Sequence, residues 1–302
     1  MRKRTVASRK RILLATSCLL LALLCASFVR DCAGGRQTRA VTALLNPKHR
    51  ADVSRIDIAF ADGSSIALFL MNAFWCVGRG DVVMPADTSV VSQLLDMLSA
   101  PQELLVVSDG AQATGRLGFG RDSVHVALRD SRGEMLSELQ LVVQEEARRV
   151  YVRGAGSDRV YGVPFGKKAD FLASYAAPGM QSWAEPLLLP LVSLGLSGGI
   201  QAVNGNPPCD DFLLRARHGP VLETVFHERG EPLSVLRIEL GGGGGCFLRF
   251  YAVPGEDEFV VAVPEFFSDT ASGGSRYALD YAVTISAWTY GRIMESAGVG
   301  AR

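Results

Sequence analysis

What the sequence does not contain narrows its chemistry. Its six cysteines never fall as Cys-x-x-Cys, so zinc-ribbon and thioredoxin-type redox chemistry have no framework. Only four histidines occur, His49, His125, His218 and His227, and none has the short spacing of a metal pair. The glycine run Gly241–Gly245 does not end in Lys-Ser or Lys-Thr, and the β-type residues Cys246–Val253 follow it. It therefore reads as a flexible loop between strands, not a phosphate loop. Gly115-x-x-Gly118-x-Gly120 has the wrong order for a dinucleotide fingerprint and leads into a strand, so it reads as a turn. Ser64-Ser65 has no nucleophile-elbow context. The acidic pairs Asp210-Asp211 and Glu145-Glu146 are sequence neighbours, and neighbours on a strand face opposite sides. No catalytic, cofactor-binding or metal-ligating residue is assigned, no cofactor is expected, and the chain is not expected to be an enzyme.

Charge is absent where it matters most. Residues 12–29 carry none, while residues 1–11 hold six basic side chains (Arg2, Lys3, Arg4, Arg9, Lys10, Arg11) and no acid. Without those six, 25 basic residues face 31 acidic ones, a mildly acidic body with no basic stripe for nucleic acid. A basic front keeps the N-terminus in the cytoplasm and sends the rest across. Eighteen uncharged residues suit a retained anchor, since roughly 17–25 apolar residues span a bilayer. Two other fates stay open. A cleaved signal would have to use the poor small-residue site at Leu24-Cys25-Ala26 or Cys25-Ala26-Ser27. A lipoprotein would need Cys25, wrongly preceded by Leu23-Leu24, or Cys18, which almost no apolar run precedes.

Residues 31–52 lack sustained periodicity and read as a tether. From Val53 the pattern alternates to Phe60, turns at Asp62-Gly63 and returns through Ile66–Leu70, which predicts a β-hairpin. Phe74–Val77 follows as a short strand, with Cys76 as a small core residue. Asp87 can cap a helix whose Val90, Val91, Leu94, Leu95 and Leu98 form one apolar face, ended by Pro101. Strands are predicted at Leu104–Val107, Ser123–Leu128, Leu136–Val143, Arg149–Arg153 and Val160–Val163, then a short helix at Lys168–Tyr175. A C-terminal helix is predicted over about Arg276–Met294, with Tyr277, Tyr281, Ile285 and Trp288 on one face. The aromatics Phe259, Phe266, Phe267, Tyr277, Tyr281 and Trp288 read as core. Outside the apolar segment, Cys32, Cys76, Cys209 and Cys246 allow three pairings, of which Cys209–Cys246 lies within the second half.

An internal match divides the chain. Arg132-Gly133-Glu134-Met135-Leu136-Ser137-Glu138-Leu139 recurs 97 positions later as Arg229-Gly230-Glu231-Pro232-Leu233-Ser234-Val235-Leu236, and Val160–Pro164 recurs 100 positions later as Val260–Pro264. The expected fold is α+β, mainly antiparallel sheets with few helices, a duplicated sheet unit and one N-terminal transmembrane helix in front. The expected organisation is 1–30 basic front and anchor, 31–52 tether, 53–176 first unit, and 177–302 second unit, a partial repeat with a C-terminal helix.

Trp75 on a short strand, Pro85-Ala86-Asp87 and the spacing Val91, Leu94, Leu95, Leu98 resemble domain-of-unknown-function family 4340. Leu117-Gly118-Phe119-Gly120, Val124–Leu128, Leu136–Leu141, Tyr151-Val152-Arg153 and Val160-Tyr161-Gly162-Val163 continue the resemblance, which covers roughly residues 53–190. The chain departs from the pattern at Val142-Val143, where the family often places a Gly; the second unit has Gly241 there. The resemblance implies a bacterial membrane-anchored protein, often encoded beside gliding-type ABC transporter components, and it carries over no catalytic residue.

The reading that follows is a single-pass inner-membrane protein with its C-terminal domain in the periplasm. It would be a non-enzymatic accessory component that binds a protein partner of a transporter or envelope assembly. An exported binding module for a small envelope ligand (sugar or lipid) is the alternative, and an exported hydrolase the third. If residues 12–29 are a retained anchor, the full chain stays in the membrane pellet through alkaline carbonate extraction with residues 1–30 intact by mass. A chain starting at residue 31 is then released, and release of the intact full chain counts against the anchor.

Overall fold

The computed structural model describes residues 39–109, 115–120, 123–144, 149–163, 172–173, 179–196, 198–224, 226, 230–268 and 276–299. Residues 12–29 lie outside them. Among the described residues no helix is long and apolar enough to cross a membrane.

Alternating side chains build two antiparallel sheets. The first draws on β1 (Arg39–Thr42), β2 (Arg55–Ala59), β3 (Ser65–Met71), β4 (Phe74–Arg79), β5 (Val82–Pro85), and, after helix α1 (Thr88–Ser99), on β6 (Gln102–Asp109), β7 (Val124–Arg129), β8 (Met135–Gln144), β9 (Arg149–Gly154) and β10 (Arg159–Val163). Its spatial order is β1-β6-β10-β9-β8-β7-β2-β3-β4-β5. The second uses β11 (Ile200–Val203), then, beyond the short helix α2 (Phe212–Arg215), β12 (Val221–Leu222), β13 (Ser234–Leu240), β14 (Gly245–Val253), β15 (Glu256–Phe267) and β16 (Ala282–Ser286). Helix α3 (Ala287–Ser296) ends the described fold, and the sheet order is β11-β13-β14-β15-β16-β12. Mostly antiparallel sheets with few helices make this an α+β protein.

Local chemistry explains the elements predicted correctly. Asp62-Gly63 closes the β2–β3 hairpin, with Gly63 at φ 83°, a conformation glycine adopts without a Cβ clash. Asp87 caps α1 by accepting from the N–H groups of Ser89 (2.8 Å) and Val90 (3.3 Å). Val91, Leu94, Leu95 and Leu98 are buried, each contributing about 1.5–3 kcal/mol. They lie over the sheet face that carries Ile56, Ile58, Ile66 and Leu68, within one core that continues into the second sheet.

Three expectations are corrected. Residues 31–52 are not wholly a tether: Arg39–Thr42 pairs with β6, and the N–H groups of Leu44 and Leu45 both donate to the Leu98 carbonyl. Leu45 is fully buried, and Pro47–Asp52 forms a 3-10 turn. Two adjacent leucines were enough to pull this stretch into the core. The expected helix at 276–294 begins only at Ala287, because Val283 and Ile285 alternate inward on β16 and Ser286 caps α3 through Thr289 N–H. Tyr277, Tyr281, Ile285 and Trp288 therefore share no helical face; Tyr281 and Ile285 are buried and Trp288 is 69% exposed. The aromatic set splits likewise, with Phe266 and Tyr281 inside and Phe259 41% exposed. The Cys209–Cys246 pairing, one of those left open, is not formed: both thiols are free, Cys209 on the surface and Cys246 in the core. The predicted Lys168–Tyr175 helix lies outside the described residues except for Leu172 and Ala173.

The repeated segments occupy like positions in two three-stranded meanders, β8-β9-β10 and β13-β14-β15. Gly133 and Gly230 precede β8 and β13 with φ of 83° and 90°, and Val160–Val163 and Val260–Val263 lie on the third strand of each. The correspondence stops at the flanks, since β8 pairs with β7 whereas β13 pairs with β11.

Gly241–Gly245 is indeed the loop of a hairpin, and it is tightly packed. A Cβ on Gly241 would stand 2.6 Å from the Gly198 carbonyl oxygen, and one on Gly245 would stand 2.1 Å from that of Ile238. Backbone oxygens cannot swing aside as side chains do. Gly245→Ala is expected to cost at least the roughly 1–3 kcal/mol of ordinary overpacking. In contrast, Gly291→Ala in α3, where a Cβ meets nothing within 4 Å, is expected to stabilise by about 0.5–1 kcal/mol. Urea unfolding of the two variants reads the opposite signs.

Candidate functional site: the open face of the first sheet

One face of the first sheet packs into the core, so its other face is defined by the alternate residues. Cross-strand register arranges these in three rows. The first runs Phe69, Arg55, Arg129, Met135. The second runs Gly78, Ala67, Asp57, Ala127, Glu138. The third runs Ser65, Ala59, His125, Gln140, Arg153. Five of these fourteen are Gly, Ala or Ser, concentrated on β2, β3, β4 and β7. Small side chains leave a groove of about 450 Å³ between Arg55 and Asp57 on one side and Phe69, Arg79 and Val83 on the other.

Two structures wall this face. Toward β9, Leu117 and Phe119 from the 115–120 turn cover Val142, Tyr151 and Val160 in a satellite apolar cluster. Toward β5, the second half of the chain closes over the sheet. Val83 and Asp280 exchange backbone hydrogen bonds at 2.9 Å, Glu185 N–H donates to Pro85 O at 3.0 Å, and the Phe74 and Tyr277 rings lie 5.9 Å apart. Arg79 pairs with Glu223, whose other oxygen accepts from Met180 N–H at 2.6 Å.

The polar groups of the face are paired among themselves. Asp57 accepts from Arg55 Nε at 2.8 Å and faces Arg129 Nε at 3.5 Å. The Arg153 guanidinium lies 4.9 Å from the centre of the Phe119 ring and donates to Gln140 Oε1 at 2.7 Å. The Gln140 amide nitrogen then stands 3.4 Å from His125 Nδ1, while Ser123 Oγ stands 3.3 Å from His125 Nε2 and accepts from Gly120 N–H. This chain assigns roles: with Gln140 donating, Nδ1 accepts and Nε2 carries the proton toward Ser123. A base that activates a serine needs the reverse, with a carboxylate orienting Nδ1–H. This Ser–His contact therefore has the opposite polarity to a serine–base pair.

The other residues singled out in the sequence do not converge. His49 lies 3.4 Å from Asp52 on the surface, and Ser64 donates both N–H and hydroxyl to Asp62, holding that carboxyl below the usual carboxylate range. Asp210 caps Phe212 N–H and faces Arg292 at 3.5 Å. His227, Cys32 and Glu145-Glu146 lie outside the described residues. Among the described residues, no three His, Cys, Asp or Glu side chains gather to hold a metal ion. Sequence reasoning missed Arg55, Asp57, Arg129 and Arg153; their signal was the outward half of each alternating strand, read only for its inward half. The chain matches no protein-family profile, no curated protein and no solved structure.

Where the second half of the chain closes over the sheet lie groups that ionise at alkaline pH, among them Cys76, which sits opposite Phe69. Burial pushes the Cys76 thiol up to about 12 from its ordinary 9.0, and raises Cys246 and Tyr281 well above their ordinary values. In the unfolded chain these groups ionise near their ordinary values, so the folded state loses stability as pH climbs through 9. Alkaline unfolding is expected to begin there. Below it, maleimide is expected to label Cys209 in the native chain while Cys76 and Cys246 react only after denaturation, as peptide mass mapping would show. Equal labelling of all three would contradict this placement.

Proposed function

We propose that this chain is a membrane-tethered extracytoplasmic domain that binds a protein partner through the open face of its first sheet, as a non-enzymatic accessory of a transporter or envelope assembly. The observation that carries the reading is the grid of small residues flanked by paired arginines. Ala67, Ala59 and Ala127 let another backbone approach closely beside Gly78, which the Phe69 ring covers, and arginines around them supply directional donors. The tether rests on the basic front and the uncharged residues 12–29. The transporter context rests on the resemblance to domain-of-unknown-function family 4340.

A second reading, an exported module for a small envelope ligand, draws on the groove itself, whose volume falls in the roughly 300–1,000 Å³ range of small-molecule sites. The packed contact between the two halves argues against a ligand cleft between the sheets. Photo-crosslinking in cells separates the readings. A photoreactive residue at position 67 or 127 is expected to capture the same envelope protein, weakened by Arg55→Glu, while one at position 288 on α3 captures none. Capture of a lipid or sugar adduct alone would favour the small-ligand reading, and no capture from either position on the open face would overturn both.

A further inference from the structure

His218 sits where three chain segments meet. Its own N–H donates to the Pro186 carbonyl at 3.2 Å, and Leu188 N–H donates to the Ala216 carbonyl at 2.9 Å, so residues 186–188 run as a strap beside 216–218. One residue earlier, Glu185 N–H donates to Pro85 of the first sheet. One residue later, Gly219 N–H donates to the Thr284 carbonyl of β16 at 2.7 Å. The histidine ring spans the junction. Its Nε2 lies 2.7 Å from the Glu185 carbonyl oxygen and its Nδ1 lies 2.7 Å from the Gly219 carbonyl oxygen.

Two carbonyl oxygens only accept. A neutral imidazole has one N–H and one lone pair, so it satisfies one of them and sets its lone pair against the other. The imidazolium donates to both. The charged groups on the elements packed against the ring are Glu185, whose carboxylate accepts from Ser193 Oγ at 2.9 Å, and the exposed Arg217. Residues 186–190, 219–222 and β16 carry no titratable side chain.

We propose that His218 is an acid-fastened latch between the strap that crosses from the first sheet and the segment that leads into the second. With both protons it holds Glu185 and Gly219 together; when one proton leaves, one of the two carbonyls loses its donor and the strap is released from that side. Histidine is the side chain whose charge ordinarily changes between pH 5 and 8, which sets the range that the test spans. The inference stands apart from whatever occupies the open face.

The test uses the full chain in detergent, labelled with ¹⁵N-histidine. The His218 signals are assigned in a chain whose His49, His125 and His227 are glutamine. At pH 6 both His218 ring nitrogens are expected in the imidazolium range, and at pH 8.5 the ring is expected to be a single neutral tautomer. Amide exchange at Leu188, corrected for intrinsic rates, is expected to be about tenfold faster at the higher pH, the loss of one charge-assisted hydrogen bond. His218→Gln, whose single amide nitrogen donates from one position whatever the pH, is expected to abolish that difference. A ring that is neutral at pH 6, or a Leu188 exchange ratio unchanged by His218→Gln, would overturn the latch. The ring measurement alone decides if that variant fails to fold.

Discussion

Between Val83 and Asp87 the backbone of the first sheet is bonded in two directions at once. On one side β5 completes its ladder with β4; on the other, Val83 meets Asp280, Ala86 meets Ala184, the Pro85 carbonyl accepts from Glu185 N–H and Asp87 N–H donates to the Trp183 carbonyl. This seam is what makes two sheets one body. It turns the end of a ten-stranded sheet from a free edge, with unpaired donors and acceptors, into an internal junction. Trp183 and Met180, both fully buried, lie next to it, and helix α1 starts from it, since the residue that accepts Glu185 immediately precedes the Ala86-Asp87 cap. The core face, the wall of the open face and the start of α1 all follow from where this backbone is pinned.

How much of this was legible in the sequence depends on how local the cause is. The β2–β3 hairpin, α1 and the β7–β10 meander are written in alternation, a capping Asp and turn glycines, and each is decided within a dozen residues. The failures are non-local. Arg39–Thr42 becomes a strand because β6, more than 60 residues away, offers it an edge. Residues 282–286 satisfy a helical spacing and a strand alternation equally, and the presence of β15 as a partner decides for the strand. The seam itself is nearly mute in sequence, because it is made of backbone groups. The Gly198–Gly241 approach is likewise visible only when both strands are in place.

The site was legible in a different sense. Each absence noted in the sequence concerned a motif, and the open face contains none; it consists of residue sizes in register. Ala59, Ala67 and Ala127 are unremarkable singly and become a floor only when three strands align them. The paired ions on this face are mostly a third or more exposed, so each is worth little to stability.

The position of β1 has a mechanical consequence. It is four residues long, lies at the outer edge of the first sheet, exposes 74% of Val41 and is the first described segment of the chain. Any pull exerted on the chain upstream of Arg39 is therefore borne first by four ladder residues on β6, before the load reaches Leu45 in the core. Such a strand can peel away while the body behind it holds, so β1 is expected to yield before the core does.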